Sequence, residues 1–146
     1  MQTNPSTQPY RHLSAIEPQT FATDVDRARL SPVALTAFKN LAEAWDLTAV
    51  QAAALLAVSP STWERMRRAN GDARLNQDQL TRISALVGTL KGLRLLFADD
   101  LADRWPGMAN RGSLFAGKSP VAAMIDGGIP RMIEVRRHVD ALRGGI

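Results

Sequence analysis

The sequence predicts an all-α protein, and three observations carry that reading. Aromatic residues make up only 5% of the chain while hydrophobic residues reach 45%, so a core can form but the residues of a rich β-sheet are scarce. Apolar positions recur at steps of three and four, the spacing of a helical face. Ser, Thr or Asn stands ahead of these stretches, several times followed directly by Pro, which is how helices start.

Residues 1–30 are rich in Thr, Gln, Pro and Asp, and Arg11, Arg27 and Arg29 balance Glu17, Asp24 and Asp26. They are expected to form an arm whose first dozen residues are disordered. Ile16, Phe21 and Val25 are its apolar positions, able to dock on later elements as a short helix. Ser31-Pro32 reads as the next helix start, with Leu35, Phe38, Leu41, Ala42 and Trp45 on one face and an end near Asp46-Leu47.

Thr48 caps a short Ala-rich helix. Ser59-Pro60 opens STWERMRRA, which stops at Asn70-Gly71. Asn76 caps a longer helix to about Phe97, with a broad stripe running from Leu80 through Ile83, Leu86, Leu90 and Leu93. Gly88 and Gly92 interrupt it at about 1 kcal/mol each relative to Ala. They permit the close approach of a neighbouring helix.

After Phe97 the chain turns acidic and irregular, and a second unit is expected. It has a short helix from Pro120 to Gly127-Gly128 and a last helix from Pro130 to Arg143, on which Met132, Val135, Val139 and Leu142 step three, four, three. Arg136 with Asp140, and Glu134 with His138, are spaced to pair on its outer surface. The expected division is an arm (1–30), a first helical unit (31–97) and a small C-terminal helical unit (98–146).

Composition removes several classes of function. There is no cysteine, which excludes disulfides and thiolate metal sites. His12 and His138 lie far apart, which argues against zinc. Asp99, Asp100 and Asp103 read as a solvated helix end rather than an ion site. No catalytic constellation is found, and no cofactor is expected. No apolar run reaches membrane-spanning length, and MQTNPSTQPYRH has no apolar signal core behind it. A cytoplasmic protein is expected. The net charge is +4, and the basic residues are overwhelmingly Arg, the side chain with the geometry for phosphate forks.

One motif points elsewhere. Residues 112–119, GSLFAGKS, spell the phosphate-cradling pattern G-x-x-x-x-G-K-[ST]. A working loop of that kind follows a buried strand and opens a long helix. DDLADRWPGMANR upstream cannot form that strand, and Gly127-Gly128 leaves barely two helical turns downstream. The glycines are expected to serve as turns between Trp105 and the helix near Pro120.

Thr48–Arg68 has the layout of a DNA-reading unit, a short helix, a tight turn and a second short helix. VQAAALLAVSPSTWERM resembles the phage-repressor (Xre-like) helix-turn-helix pattern. Ala53 is the small residue at the helix crossing, Leu56 and Val58 flank the turn, and Trp63 and Met66 anchor the second helix. Ala57 stands where the pattern usually has Gly. With Trp63 and Met66 inward, Ser61, Arg65 and Arg68 lie on the opposite face, flanked by Thr62 and Glu64. Ser59, Ser61, Thr62, Arg65, Arg67 and Arg68 are the DNA-binding candidates, with Arg65 able to fork onto a guanine edge. On spacing alone, the same RMRR run also fits a solvated helix face.

The C-terminal stretch adds a more specific resemblance. In order it carries Trp105, Asn110, Leu114-Phe115, Gly117, Pro120, Gly127-Gly128, Val135-Arg136, Asp140-Ala141 and Arg143-Gly144-Gly145. This order resembles the toxin-binding domain of the Xre/MbcA/ParS antitoxin family, and the likeness extends over about residues 30–146. It implies an antitoxin of a type II toxin–antitoxin pair. The implied partners are a RES-domain toxin that consumes NAD and the operator DNA of the antitoxin's own promoter, with the antitoxin a homodimer inside a larger complex. It implies toxin contacts from Trp105, Met108, Leu114, Phe115 and Arg136, and from Arg143, Gly144, Gly145 and Ile146 as a thin anionic probe at the toxin's pocket, residues that equally fit a frayed tail. Trp105, Met108, Leu114 and Phe115 equally fit a small local core under the loop. A stand-alone helix-turn-helix regulator that dimerises through its C-terminal unit is the alternative.

Overall fold

A computed structural model describes residues 21–69 and 73–144 of the chain. They form six α-helices: α1 (Asp24–Ala44), α2 (Ala49–Leu56), α3 (Pro60–Arg68), α4 (Gln77–Leu96), α5 (Asp99–Arg104) and α6 (Pro120–Arg143). A 3-10 turn, Trp105–Gly107, follows α5. There is no strand among the described residues.

The helix starts follow from local chemistry. Thr48 accepts the Gln51 N–H at 3.1 Å while the Gln51 side chain accepts the Thr48 N–H at 2.9 Å. Asn76 and Gln79 make the same reciprocal pair at the head of α4. Ser59 and Ser119 cap α3 and α6, each with Pro in the first turn. Every one of these satisfies N–H groups that a helix start leaves without partners.

The expected start at Ser31-Pro32 is corrected. α1 begins eight residues earlier, with Thr23 accepting the Asp26 N–H and two aspartates in the first turn. Ser31 lies inside the helix and is fully buried. Its hydroxyl donates to the Arg27 carbonyl at 2.5 Å and accepts the Leu75 N–H at 3.0 Å. This serine joins α1 to the lead-in of α4, a task that Ser-Pro spelling does not reveal. Of the arm's apolar positions, Phe21 packs partly buried against the core and Val25 is exposed. Ile16, like the disorder expected for the first dozen residues, lies outside the described residues, as does the Asn70-Gly71 stop.

One core serves the whole described chain. Phe38, Leu41, Leu55, Leu56, Trp63, Leu86 and Leu93 are continuous with Phe115, Met124, Met132, Val135 and Val139. Phe38 and Trp63 meet edge to face, 5.2 Å between centroids, a favourable aromatic geometry. Residues on both sides of position 97 therefore share a single interior.

The junction is α4 against α6. A Cβ on Gly88 would lie 2.4 Å from the Arg136 guanidinium, and one on Gly92 would lie 2.8 Å from Val139 Cγ1. Both distances are shorter than side chains tolerate, so α6 occupies the space those glycines leave. The break expected at Gly127-Gly128 is present inside α6. Gly128 has φ 65° and ψ −153°, a conformation essentially confined to glycine. It redirects the helix, and α6 packs against both α4 and α2, with Val139 against Gly92.

Replacing Ser31 with Ala leaves the Leu75 N–H buried without its acceptor. Urea unfolding should show a loss of about 1–3 kcal/mol. An unchanged midpoint would contradict the bridging role.

Candidate nucleic-acid interface and partner surface

Helix α3 is held on one side by Trp63, buried at 3% exposure, and by the half-buried Met66. The opposite side is open. Ser61, Arg65 and Arg68 are exposed as expected, and Thr62 and Glu64 are half-buried beside them. Ser59 is exposed at the helix start, but its hydroxyl is engaged. It accepts the Thr62 N–H at 3.1 Å and donates to Thr62 Oγ1 at 2.9 Å. Arg65 Nη2 donates to the same Thr62 oxygen at 3.3 Å and has no acidic partner among the described residues.

The other two arginines share one carboxylate. Arg67 bonds Glu64 at 2.8 Å and Arg68 approaches it at 4.0 Å. The Arg67 hydrogen bond, with the positive charge of Arg67 and Arg68, holds the Glu64 carboxyl below the usual carboxylate range. Arg65 is thus the least committed guanidinium on the face. Arg74, exposed in the lead-in to α4, joins Thr62, Arg65 and Gln79 around a depression of about 320 Å³. Sequence reading passed over it because it belongs to no helix. An Arg in the connector directly after the second helix was the available signal.

The turn into α3 carries a strained residue. Ala57 has φ 59° and ψ 43°, a left-handed backbone at the position where the pattern usually has Gly. Its N–H and that of Val58 close α2 on the Ala54 and Ala53 carbonyls. The left-handed state costs a residue with a Cβ about 1–2 kcal/mol.

At the other end, the aromatic candidates form a stack. Trp105 meets Phe115 edge to face at 5.6 Å, and Phe115 meets His138 likewise at 5.6 Å. Phe115 is 1% exposed, so in this conformation it supports the surface from below. Trp105 and Leu114 are half-buried, and Met108 is exposed. Arg131 donates to the Leu114 carbonyl, fixing the loop to α6. Arg143 and Gly144 are exposed at the end of α6, with Arg143 3.7 Å from Asp140. Gly145 and Ile146 lie outside the described residues.

The outer pairs expected on α6 are different. Arg136 turns onto α4 and donates to the Ser84 carbonyl at 3.3 Å, because Gly88 leaves room for a guanidinium there. Asp140 is then left for Arg143, and Glu134 lies 3.8 Å from Arg131.

GSLFAGKS forms a closed loop. The Phe115 and Ala116 N–H groups bond the Gly112 carbonyl, Gly117 N–H bonds the Asn110 carbonyl, and Lys118 N–H bonds the Phe115 carbonyl. A phosphate cradle needs such N–H groups pointing outward. Here the loop consumes them itself, and Lys118 is paired with Asp126. It follows α5 and the 3-10 turn, with no strand before it among the described residues. Among the described residues no cluster of His, Asp and Glu suits a metal ion. Asp103 instead accepts from Arg94 Nε and Nη2, each at 3.1 Å, and Asp100 pairs with Arg104. No helix among them is long and apolar enough to cross a membrane.

The all-helical fold with this short-helix, turn, short-helix unit defines a helix-turn-helix protein. Residues 24–88 match the family model of the antitoxin Xre-like helix-turn-helix domain. The matched stretch begins at the first residue of α1. The chain is also similar to the uncharacterized protein y4oB of Sinorhizobium fredii (strain NBRC 101917 / NGR234). The two are 36% identical over 123 residues, covering 82% of this chain and 91% of that protein. No solved structure matches the chain significantly.

Replacing Ala57 with Gly should relieve the turn and raise stability by about 0.5–1 kcal/mol, with circular dichroism unchanged. A loss of stability on thermal unfolding would show that the Ala57 methyl contributes packing instead.

Proposed function

We propose that this chain is the antitoxin of a type II pair, which occludes a RES-domain, NAD-consuming toxin and represses its own operon. The observation that carries this reading is the antitoxin helix-turn-helix match over residues 24–88. The exposed α3 face supports the DNA half. The N-terminal half of a second helix is the part that enters the major groove. Arg65 forks onto a guanine edge there, while Ser59, Ser61, Thr62, Arg67 and Arg68 take phosphates or neighbouring bases. Two copies read the two halves of a palindromic operator.

The C-terminal half offers contacts of a different kind. Met108 is 45% exposed and Leu142 47% exposed, apolar side chains of the type that anchor an interface. Leu114 and Trp105 contribute the part of their surface that remains open. Arg136, Arg143 and Gly144, continuing to Gly145 and Ile146, reach the mouth of the toxin's pocket. The mechanism is occlusion: the antitoxin fills space that NAD would need.

Two variants separate the halves in one set of measurements, operator binding and NAD consumption by the co-purified toxin. Arg65→Ala should weaken operator binding about tenfold or more and leave neutralisation intact. Deleting Gly144–Ile146 should restore NAD consumption and leave operator binding intact. Full inhibition by the deletion variant would refute the occluding tail. A full-length chain that neither retains the toxin nor slows NAD consumption would refute the antitoxin reading.

A further inference from the structure

The depression of about 320 Å³ between α3 and the head of α4 is lined by hydrogen-bond donors without a carboxylate. Arg65 and Arg74 both line it, and neither has an ion pair among the described residues. Gln79 adds a third donor. Its Oε1 accepts the Asn76 N–H at 3.0 Å in the cap of α4. An acceptor in that place is the amide oxygen, so the amide nitrogen remains as a donor. Two guanidinium groups and an amide N–H, with no negative charge beside them, suit an anion.

The backbone on either side is pinned to α1. Leu75, next to Arg74, gives its N–H to Ser31 at 3.0 Å. Ala69, which closes α3, gives its carbonyl to Lys39 at 2.9 Å. Arg74 therefore projects from backbone that α1 holds in place. A helix lying in the major groove has phosphates beside it, and contacts to those phosphates fix register while base edges carry sequence. We propose that Arg74 and the Gln79 amide nitrogen seat one backbone phosphate of the bound duplex, while Arg65 on the same depression reaches the base edges. The inference rests on the DNA half of the proposed function. It makes Arg74 and Gln79 positioning residues, which set the register in which Arg65 meets its base pair.

The test is binding of the full-length chain, across a salt series, to a duplex from its own promoter and to an unrelated duplex. R74A should weaken both about equally, by about tenfold, and lower the slope of log affinity against log salt by about one. R74K keeps the positive charge and should keep the slope. Q79E keeps the cap, because Glu serves at this position of a capping box, and places a carboxylate in the seat. It should weaken both duplexes by about tenfold or more with the urea midpoint unchanged. A wild-type slope in R74A, a loss confined to the promoter duplex, or full binding by Q79E would overturn the phosphate seat and leave DNA binding itself standing. A wild-type chain that binds neither duplex would overturn the DNA reading, and the seat with it.

Discussion

The structure depends on the close approach of α4 and α6. Gly88 and Gly92 weaken α4 as an isolated helix, but they remove the side chains that would hold α6 away. Into that space come the Arg136 guanidinium and Val139. The approach buries Val135, Val139 and Leu93 together, and it makes one interior out of two stretches of different texture. Gly128 is the second half of the same solution. Its non-helical backbone breaks the helix that packs against both α2 and α4.

The two surfaces on which function is proposed are each anchored in this interior. Helix α3 is anchored through Trp63 and Phe38 near the start of the fold. The Trp105–Phe115–His138 stack fixes the loop at the other part. The α3 face is built on a helix anchored in the core, so contacts with DNA meet a preorganised face. The short-range ion pairs around Glu64 also matter. They leave Arg65 as the guanidinium without an acidic partner on α3.

Much of this was legible in sequence where the physics is local. Thr48, Ser59, Asn76 and Ser119 cap the helices at the residues where their spelling places them, since a cap needs only three neighbouring residues. Gly88, Gly92 and Gly127-Gly128 were readable as a close contact and a break. What failed was tertiary. Ser31 looks like a cap but bonds the Leu75 N–H, and Arg136 looks like a surface partner for Asp140 but folds over Gly88. Both depend on a neighbour tens of residues away. Phe115 shows the same limit at the candidate surface, where sequence left anchor and local core open and the structure buries the ring. GSLFAGKS shows the opposite case. Its spelling fits a cradle, and the turns at Ala116 and Gly117 close the loop on itself.

A double-variant cycle at Gly92 and Val139 tests the central contact most directly. Gly92→Ala places a methyl against Val139 and should cost about 1–3 kcal/mol in urea unfolding. Val139→Ala should cost a similar amount by emptying a buried site. If α6 occupies the space that Gly92 leaves, the double variant will be more stable than the sum of the two losses by about 1 kcal/mol. Strictly additive losses, or two separate unfolding transitions for α4 and α6, would contradict the account.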